Sequence, residues 1–542
     1  MHLSKFITSG RVNKFVNYYK LLKRTSSCEP QDSNQNEEKK LDGNKKGLVL
    51  GLYDKGNNKF ELSPAAEEID QKSGGKLKQH LNELAPHMKL GKAFVVTDLV
   101  PVYSAVALAS LGCKDPGYNE LEALDETREN IRWGVGAGVR LLQKRGVGDI
   151  LVEPSVAPDA AAEAAHLAAW RFQEFKSESA RRPSPAVSMY GEGDKSLWEL
   201  GAIQGSGQNW ARYLSDMPAN TMTPVDLAQA ALDVLCPLGV HVTAHDREWV
   251  ERQNMRAFLA VARGSCDAPM FLECEYKAGR ATQPPVLIVA KGVTFDSGGL
   301  CLKRRESMVE NRGSMAGAAV ALAALKIIAQ LKIPINVIAV IPICENMVSG
   351  QCMKVGDVVK ALNGLSIQIE DTDMEGRLMM ADALVYGQAL HKPSLVIDVA
   401  TLTHGVLLAT GGGAFGCFST SEAAWRALRA AGARAGDRAW RFPLWRYYRQ
   451  QITNDPSVDL RNKGAGKATP CLGAAFLQNF VCCDWVHMDI TGVGKLAHAP
   501  APPYLHPRRM TGRPTRTLAL MLQSIAEASN ADKAEAARVK TA

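Results

Sequence analysis

Two short stretches hold side chains able to act on a polar substrate. The first runs Lys291-Gly-Val-Thr-Phe-Asp296-Ser-Gly-Gly-Leu-Cys-Leu-Lys303 and follows an apolar, β-branched run, Val286–Ala290. Loops at the carboxyl ends of strands in open α/β sheets are where ligands bind. The two glycines after Asp296 let the backbone turn tightly beside a bound group. Two lysines with an aspartate can hold a metal ion and steady an oxyanion. The second stretch is Asp371-Thr-Asp373-Met-Glu375-Gly-Arg377, which opens a helical pattern. Asp373 and Glu375 beside Asp296 make a hard oxygen cluster suited to Zn²⁺, Mn²⁺ or Mg²⁺. Arg377 can grip an anion through paired N–H groups. Either stretch alone also fits a surface network of acids and bases; the two together point to a metal centre.

The elements that must position these residues are legible in the pattern. Val286–Ala290, Ile335–Ile341 and Leu395–Val399 are largely apolar throughout, and helical segments such as Ala316–Leu331 and Gly376–Ala389 lie between them. Strands without polar alternation imply a sheet covered on both faces. Upstream, Leu48–Leu52, Ala93–Val96 and Ile150–Val152 alternate with helical patterns such as Ala160–Phe175, without a chemical motif. The chain thus divides into an N-terminal α/β domain over 47–185, a linker over 186–195, a larger α/β domain over 196–526 and a polar tail over 527–542.

Of the formal charge of +8, six positive charges lie in residues 1–28, which contain no acid, so the remainder carries +8 − 6 = +2. That near-neutral body argues against a nucleic-acid surface. Val12, Phe15, Val16, Tyr19 and Leu22 recur at helical spacing opposite Arg11, Lys14, Lys20 and Arg24, the pattern of a mitochondrial presequence. The alternatives are a disordered basic tail and a cytoplasmic protein. Residues 29–46 are polar and read as a disordered linker. The 12 cysteines form no C-x-x-C framework and read as free thiols in a reducing compartment. The most apolar runs, Ile333–Cys344 and Leu395–Ala400, are too short to cross a membrane.

Val289–Gly299 and Asp371–Leu384 closely resemble the two signatures of the leucyl aminopeptidase (cytosol aminopeptidase) family, approximately V-G-K-G-x-T-F-D-S-G-G and N-T-D-A-E-G-R-L-x-L-A-D-A-L. Met217–Pro224, Cys344–Met347, Ala400–Thr403 and His487–Ile490 are family-like as well. The resemblance spans about residues 190–525. It implies a two-domain α/β metallo-exopeptidase whose larger catalytic domain has a mixed central sheet covered by helices. It further implies a homo-hexamer, a dimer of trimers, acting on peptides, with two adjacent divalent ions, Zn²⁺ or Mn²⁺. By that resemblance Lys291, Asp296, Asp373 and Glu375 are metal ligands. Lys303 stabilises the carbonyl oxygen as it gains charge, and Arg377 holds a bicarbonate that shuttles protons.

The sequence departs from the family at one ligand. An aspartate of an A-D-M-G-G-A-like segment aligns without a gap to Ser314 of Gly313-Ser-Met-Ala-Gly. A neutral hydroxyl is a poor ligand for a hard dication, so one ion is expected to be kept and the other weakened. The substrate-pocket positions fall at Asn311, Thr401, His404, Thr491 and Gly494, with Asn311 replacing Met and His404 replacing Gly. Asp371 replaces the usual Asn without supplying the missing ligand. A degraded site behind a basic leader is similar to the insect sperm leucyl aminopeptidases. That similarity implies a catalytically impaired structural protein of sperm mitochondria. The alternative is an active metal-dependent aminopeptidase with altered preference for the N-terminal residue.

Overall fold

The computed structural model describes residues 45–464, 466–497 and 501–541, with side chains up to residue 530. Residues 1–44, and with them the proposed leader and almost all of the polar linker, lie outside the described residues.

Two sheets organise the chain. The first contains β1 (Lys46–Asp54), β2 (Phe60–Leu62), β3 (Ala93–Val96), β4 (Ala105–Ser110), β5 (Asp149–Val152) and β6 (Ala186–Met189), in the order β3-β4-β1-β5-β6 with β2 beside β1. Alternate residues of β1 serve opposite faces. Val49 and Tyr53 pack under helices α1 (Glu126–Lys144) and α2 (Pro158–Ala169), while Leu48, Leu50 and Leu52 face a second layer. The segment 186–195, expected as a linker, is not one throughout. Ala186–Met189 pairs in parallel with β5 as the edge of the first sheet. The helical reading of Ala160–Phe175 also ran too far, since α2 ends at Ala169 and Trp170 is extended.

The second sheet contains β7 (His241–His245), β8 (Met270–Lys277), β9 (Val286–Ala290), β10 (Gly292–Asp296), β11 (Asn336–Asn346), β12 (Leu395–Ala400), β13 (Phe415–Ser419), β14 (Ala439–Arg441) and β15 (Asp484–Asp489). Its order is β14-β13-β15-β12-β9-β11-β8-β7, with β10 beside β11. Strands β11, β9, β12 and β15 are mutually parallel, and β7, β8 and β13 join antiparallel, so the sheet is mixed as expected. Both faces are covered. Val286, Ile288 and Ala290 of β9 pack with α4 (Ala316–Gln330), and Leu287 and Val289 with α5 (Glu375–His391). Continuous apolar strands are what such double burial requires.

Helix α3 (Lys195–Asp216) starts at Asp194, whose carboxylate accepts from the amides of Ser196 and Leu197. It packs against both α2 and α4 and so ties the two layered units together. Close packing on α2 needs glycine, because a Cβ at Gly201 would lie 2.1 Å from the Asp159 carbonyl oxygen. Tyr504 and Leu505 return from the second unit into the first core. Helix α6 (Thr515–Thr541) covers the second sheet and runs on into the expected polar tail. Among the described residues one helical run, Arg305–Gln330, is long and apolar enough to cross a membrane, but 89% of its window is buried inside the fold, as a core helix requires. Among the described residues the cysteines are free.

Candidate metal centre

The sequence-derived ligands come from two segments, one at a strand end of the second sheet and one at a helix start. Lys291 lies between β9 and β10, Asp296 closes β10, and Asp373 and Glu375 lead into α5. The loop after Asp296 depends on glycine. Gly298 has φ +91°, and a Cβ there would lie 2.5 Å from the Cys301 carbonyl oxygen and 2.9 Å from the Lys303 nitrogen. Thr372 stitches the two loops together. Its hydroxyl donates to the Gly298 carbonyl (2.7 Å) and accepts from the Cys301 amide (2.8 Å). Asn346, at the end of β11, donates to Asp296 Oδ1 (2.9 Å) and to the Thr372 carbonyl (3.0 Å).

The charged groups interleave. Lys291 Nζ is 2.6 Å from Glu375 Oε1 and donates to the Thr401 carbonyl at 3.1 Å. It reaches there across the start of α5, where a Cβ at Gly376 would press on its Cδ and Cε at 2.9 Å. Lys303 Nζ is 3.0 Å from Asp296 Oδ2 and pairs closely with Asp373. Asp296 and Glu375 are buried, whereas the Asp373 side chain is 34% exposed and marks the open side. Burial, and then the Asp296 charge, push Asp373 up to about 7 and also raise Glu375. Burial would raise Asp296 too, but Lys303 and Lys291 hold it below the usual carboxylate range. Lys303 stays protonated despite its burial because Asp296, Glu375 and Asp373 surround it.

This donor set fits a divalent cation. One carboxylate oxygen each from Asp296, Asp373 and Glu375 lies within 4.8 Å of the others. Asp373 Oδ1 and Glu375 Oε1 are buried and complete no hydrogen bond, although each faces a lysine. Acids crowded until their pKa values rise are stabilised by a cation that lets all of them ionise.

Arg377 is buried, and its guanidinium donates to the Asn462 carbonyl (2.8 Å) and lies 6.0 Å from the centre of the Phe476 ring. Burial lowers its pKa to about 10, which still leaves it cationic at neutral pH. Nε completes no hydrogen bond, and a small pocket lined by Met374, Lys463 and Leu472 adjoins the side chain. Asp371 does not join the acid cluster; its Oδ2 pairs with Lys463 at 2.8 Å.

The pocket residues come together only in part. Asn311 and Ser314 are buried on the helical turn Val309–Met315 before α4, and the Thr401 hydroxyl donates to the Ser314 carbonyl at 3.2 Å. Thr491 and Gly494 are buried beyond β15. His404 is exposed at the start of a short helix, so it does not fill a buried cleft in this chain. Asp489 organises the segments that carry these residues. Its carboxylate accepts from the amides of Leu402 (3.2 Å), Thr403 (3.0 Å) and Thr491 (3.2 Å), and from both threonine hydroxyls at 2.6 Å.

Sequence reasoning gave no role to Thr372, Asn346 or Asp489, although each falls inside a family-like stretch. It missed Lys495 entirely. Lys495 Nζ donates to Asn311 Oδ1 at 3.0 Å, placing a third cation beside the turn that carries Ser314. Burial, and then the charges of Lys303 and Lys291, lower its pKa to about 8. The available signal was a basic residue one step past the pocket position Gly494.

Residues 49–179 match the N-terminal domain of the cytosol aminopeptidase family, and residues 209–519 match its catalytic domain. The chain is 40% identical to the cytosol aminopeptidase of Xenopus tropicalis over 482 residues, covering 88% of this chain and 92% of that protein. It is likewise 40% identical to the Homo sapiens cytosol aminopeptidase over 480 residues, covering 87% and 91%. Among solved structures, the bottromycin maturation enzyme BotP in complex with Mn superposes with a TM-score of 0.75 at 26% identity, covering 89% of this chain and 99% of that one. Matched in both domains, and alike in sequence over most of its length, this chain belongs to the cytosol aminopeptidase family.

Proposed function

We propose that this chain keeps one divalent ion of the family's two-ion centre and is impaired as an aminopeptidase. The observation that carries the reading is a neutral Ser314 on the same turn, Val309–Met315, whose Asn311 accepts from the Lys495 ammonium at 3.0 Å. Lys291 and Lys303 pair with Asp296, Asp373 and Glu375, and Lys495 adds a third cation nearby, so the centre holds no excess negative charge before any metal enters. Adding two dications would then leave the centre strongly positive in a partly desolvated site, which is costly. A family member with an aspartate at position 314 would carry one more negative charge there.

A divalent ion in this centre would polarise a scissile carbonyl and acidify a water molecule. Asp296, Asp373 and Glu375 supply its oxygens, with Lys291 beside Glu375. Lys303 stands ready to donate to a carbonyl oxygen that gains charge. Arg377, fixed by Asn462, keeps a buried Nε without a hydrogen-bond partner, which a small anion such as bicarbonate would satisfy. The manganese complex of BotP makes Mn²⁺ the first ion to try, with Zn²⁺ second. The second reading, an active aminopeptidase with altered preference for the N-terminal residue, is favoured by the complete lysine–carboxylate ring. The remaining proposals follow the family and its sperm relatives: a homo-hexamer, import into mitochondria directed by residues 1–28, and a structural role in sperm.

Elemental analysis of the purified chain, with hydrolysis of a panel of aminoacyl chromogenic substrates in Mn²⁺ or Zn²⁺, tests the reading. We expect about one ion per subunit at the centre and little turnover, and two ions after Ser314→Asp. Two tightly held ions in the natural chain, with turnover on the order of 10 s⁻¹, would overturn it in favour of the active enzyme.

A further inference from the structure

A second group of metal-ligating side chains lies at the opposite end of α5, on the same face of the sheet. Glu273 and Glu275 alternate along β8 and so project from one face, and His391 is the last residue of α5. One ligand atom from each of Glu273, Glu275 and His391 lies within 4.8 Å of the other two. Helix α5 is 17 residues long, so Glu375 at its start and His391 at its end stand roughly 24 Å apart. The group is therefore separate from the family's centre.

The two oxygens of Glu273 are used differently. Oε1 accepts from His245 Nε2 and from the Tyr386 hydroxyl, both at 2.8 Å, and His245 is itself held by stacking on Trp249 with ring centres 3.7 Å apart. Oε2 faces His391 Nε2 at 3.4 Å. That nitrogen is buried and completes no hydrogen bond. A spacing of 3.4 Å is long for a charge-assisted hydrogen bond. It equals the edge of a tetrahedron around an ion with bonds of about 2.0–2.1 Å, which is roughly 3.4 Å. Glu275 is held from outside by Lys277, whose side chain is 67% exposed, and such a surface pair yields easily. A cation here would also lie at the carboxyl end of a long helix, where the backbone dipole favours positive charge.

We propose that Glu273 Oε2, His391 Nε2 and the Glu275 carboxylate bind a divalent transition-metal ion, Zn²⁺ by preference, with solvent completing the tetrahedron. The imidazole ligand selects zinc over magnesium or calcium, which take oxygen donors. His245 and Tyr386 orient the ligating carboxylate from behind, as outer partners do in established zinc sites. The ion pins the end of α5 to β8, far from the centre that its other end serves.

The test is a Zn²⁺ titration of the full-length protein, read by elemental analysis after gel filtration and by thermal unfolding with and without Zn²⁺. The natural chain should bind one zinc more than His391→Ala and Glu275→Gln, and Asp296→Asn should remove a different equivalent. Zinc should raise the melting temperature of the natural chain and of Asp296→Asn, and raise it less in His391→Ala. Binding at this site should weaken at least tenfold in His391→Ala, since even outer partners are worth roughly 10–100-fold. Glu273→Gln removes a buried, hydrogen-bonded carboxylate, so circular dichroism checks its folding, and the other two variants decide the question. Unchanged zinc content in both His391→Ala and Glu275→Gln would overturn the site. So would a zinc count that falls to zero in Asp296→Asn alone.

Discussion

Two buried clusters of charge in this molecule are built on opposite principles. Between the first and second units, Arg132 meets an oxygen with each of its three nitrogens: Glu163 at 2.7 Å, Glu129 at 3.0 Å and the Arg434 carbonyl at 2.6 Å. Glu129 also accepts from Trp133 and from Tyr504, each at 2.8 Å, and Glu163 pairs with Arg516. This cluster is closed on its acceptor side: its carboxylates take donors from two guanidiniums, an indole and a phenol, and the buried group left over is a donor, Arg516 Nη2. At the metal centre the cations are lysines, point charges that neutralise without filling every acceptor. Buried oxygens of Asp373 and Glu375 remain without hydrogen bonds. Burial of charge by itself therefore does not mark a functional site; unsatisfied acceptors beside point charges do.

The largest effect should come from breaking the closed cluster. Arg132→Met leaves Glu129 and Glu163 buried with a partner removed, and should cost about 3–5 kcal/mol of unfolding free energy. Urea denaturation measures it, and a loss below about 1 kcal/mol would show that the cluster does not lock the two units. Metal content at the centre should not change.

The open cluster should instead respond in ligand affinity. Removing the third cation with Lys495→Met should strengthen binding of a second divalent ion about tenfold, equivalent to about 1.4 kcal/mol, without restoring the aspartate. Isothermal titration with Mn²⁺ reads this directly. Unchanged affinity would remove Lys495 from the account and leave Ser314 as the sole cause.

A third buried pair lies between these extremes. His487 Nδ1 is 2.5 Å from Asp398 Oδ1, and Trp485 donates to the other oxygen at 2.6 Å. Burial opposes the charge on His487, but Asp398 more than offsets it and raises the pKa above the ordinary value. A raised histidine contributes stability that is complete below its unfolded pKa, about 6.5. That stability is lost as pH climbs through the folded value. Stability should therefore fall from about pH 6.5 upward, by at most about 1.4 kcal/mol per pH unit from this group. Urea midpoints across that range should decline less steeply in His487→Gln than in the natural chain. Equal slopes would show that another group carries the dependence.

The smallest effect belongs to His404. Because it is exposed, His404→Ala should change stability by less than about 0.5 kcal/mol. It should also leave any residual leucyl hydrolysis within about twofold, a shift of about 0.4 kcal/mol in the barrier. A larger gain in hydrolysis would mean that His404 obstructs the cleft during turnover.

The sequence by itself determined the layered α/β architecture and pointed to the loops where the candidate metal centre lies. Fully apolar strands such as Val286–Ala290 have one physical use, burial on both faces, and the loops that follow parallel strands must meet at one edge of the sheet. Lys291, Asp296, Lys303, Asp373 and Glu375 were therefore legible, because each motif is local and the fold brings the motif ends together. The extent of α2, the strand inside 186–195 and the fate of His404 were decided by tertiary packing, which overrides local propensity at element ends. Only tertiary structure could bring Lys495 to Asn311 across 184 residues, or set His391 beside Glu273. Periodicity reports which face of its own element a side chain takes. Which distant side chain meets it depends on how helices settle over the sheet, and no local pattern encodes that.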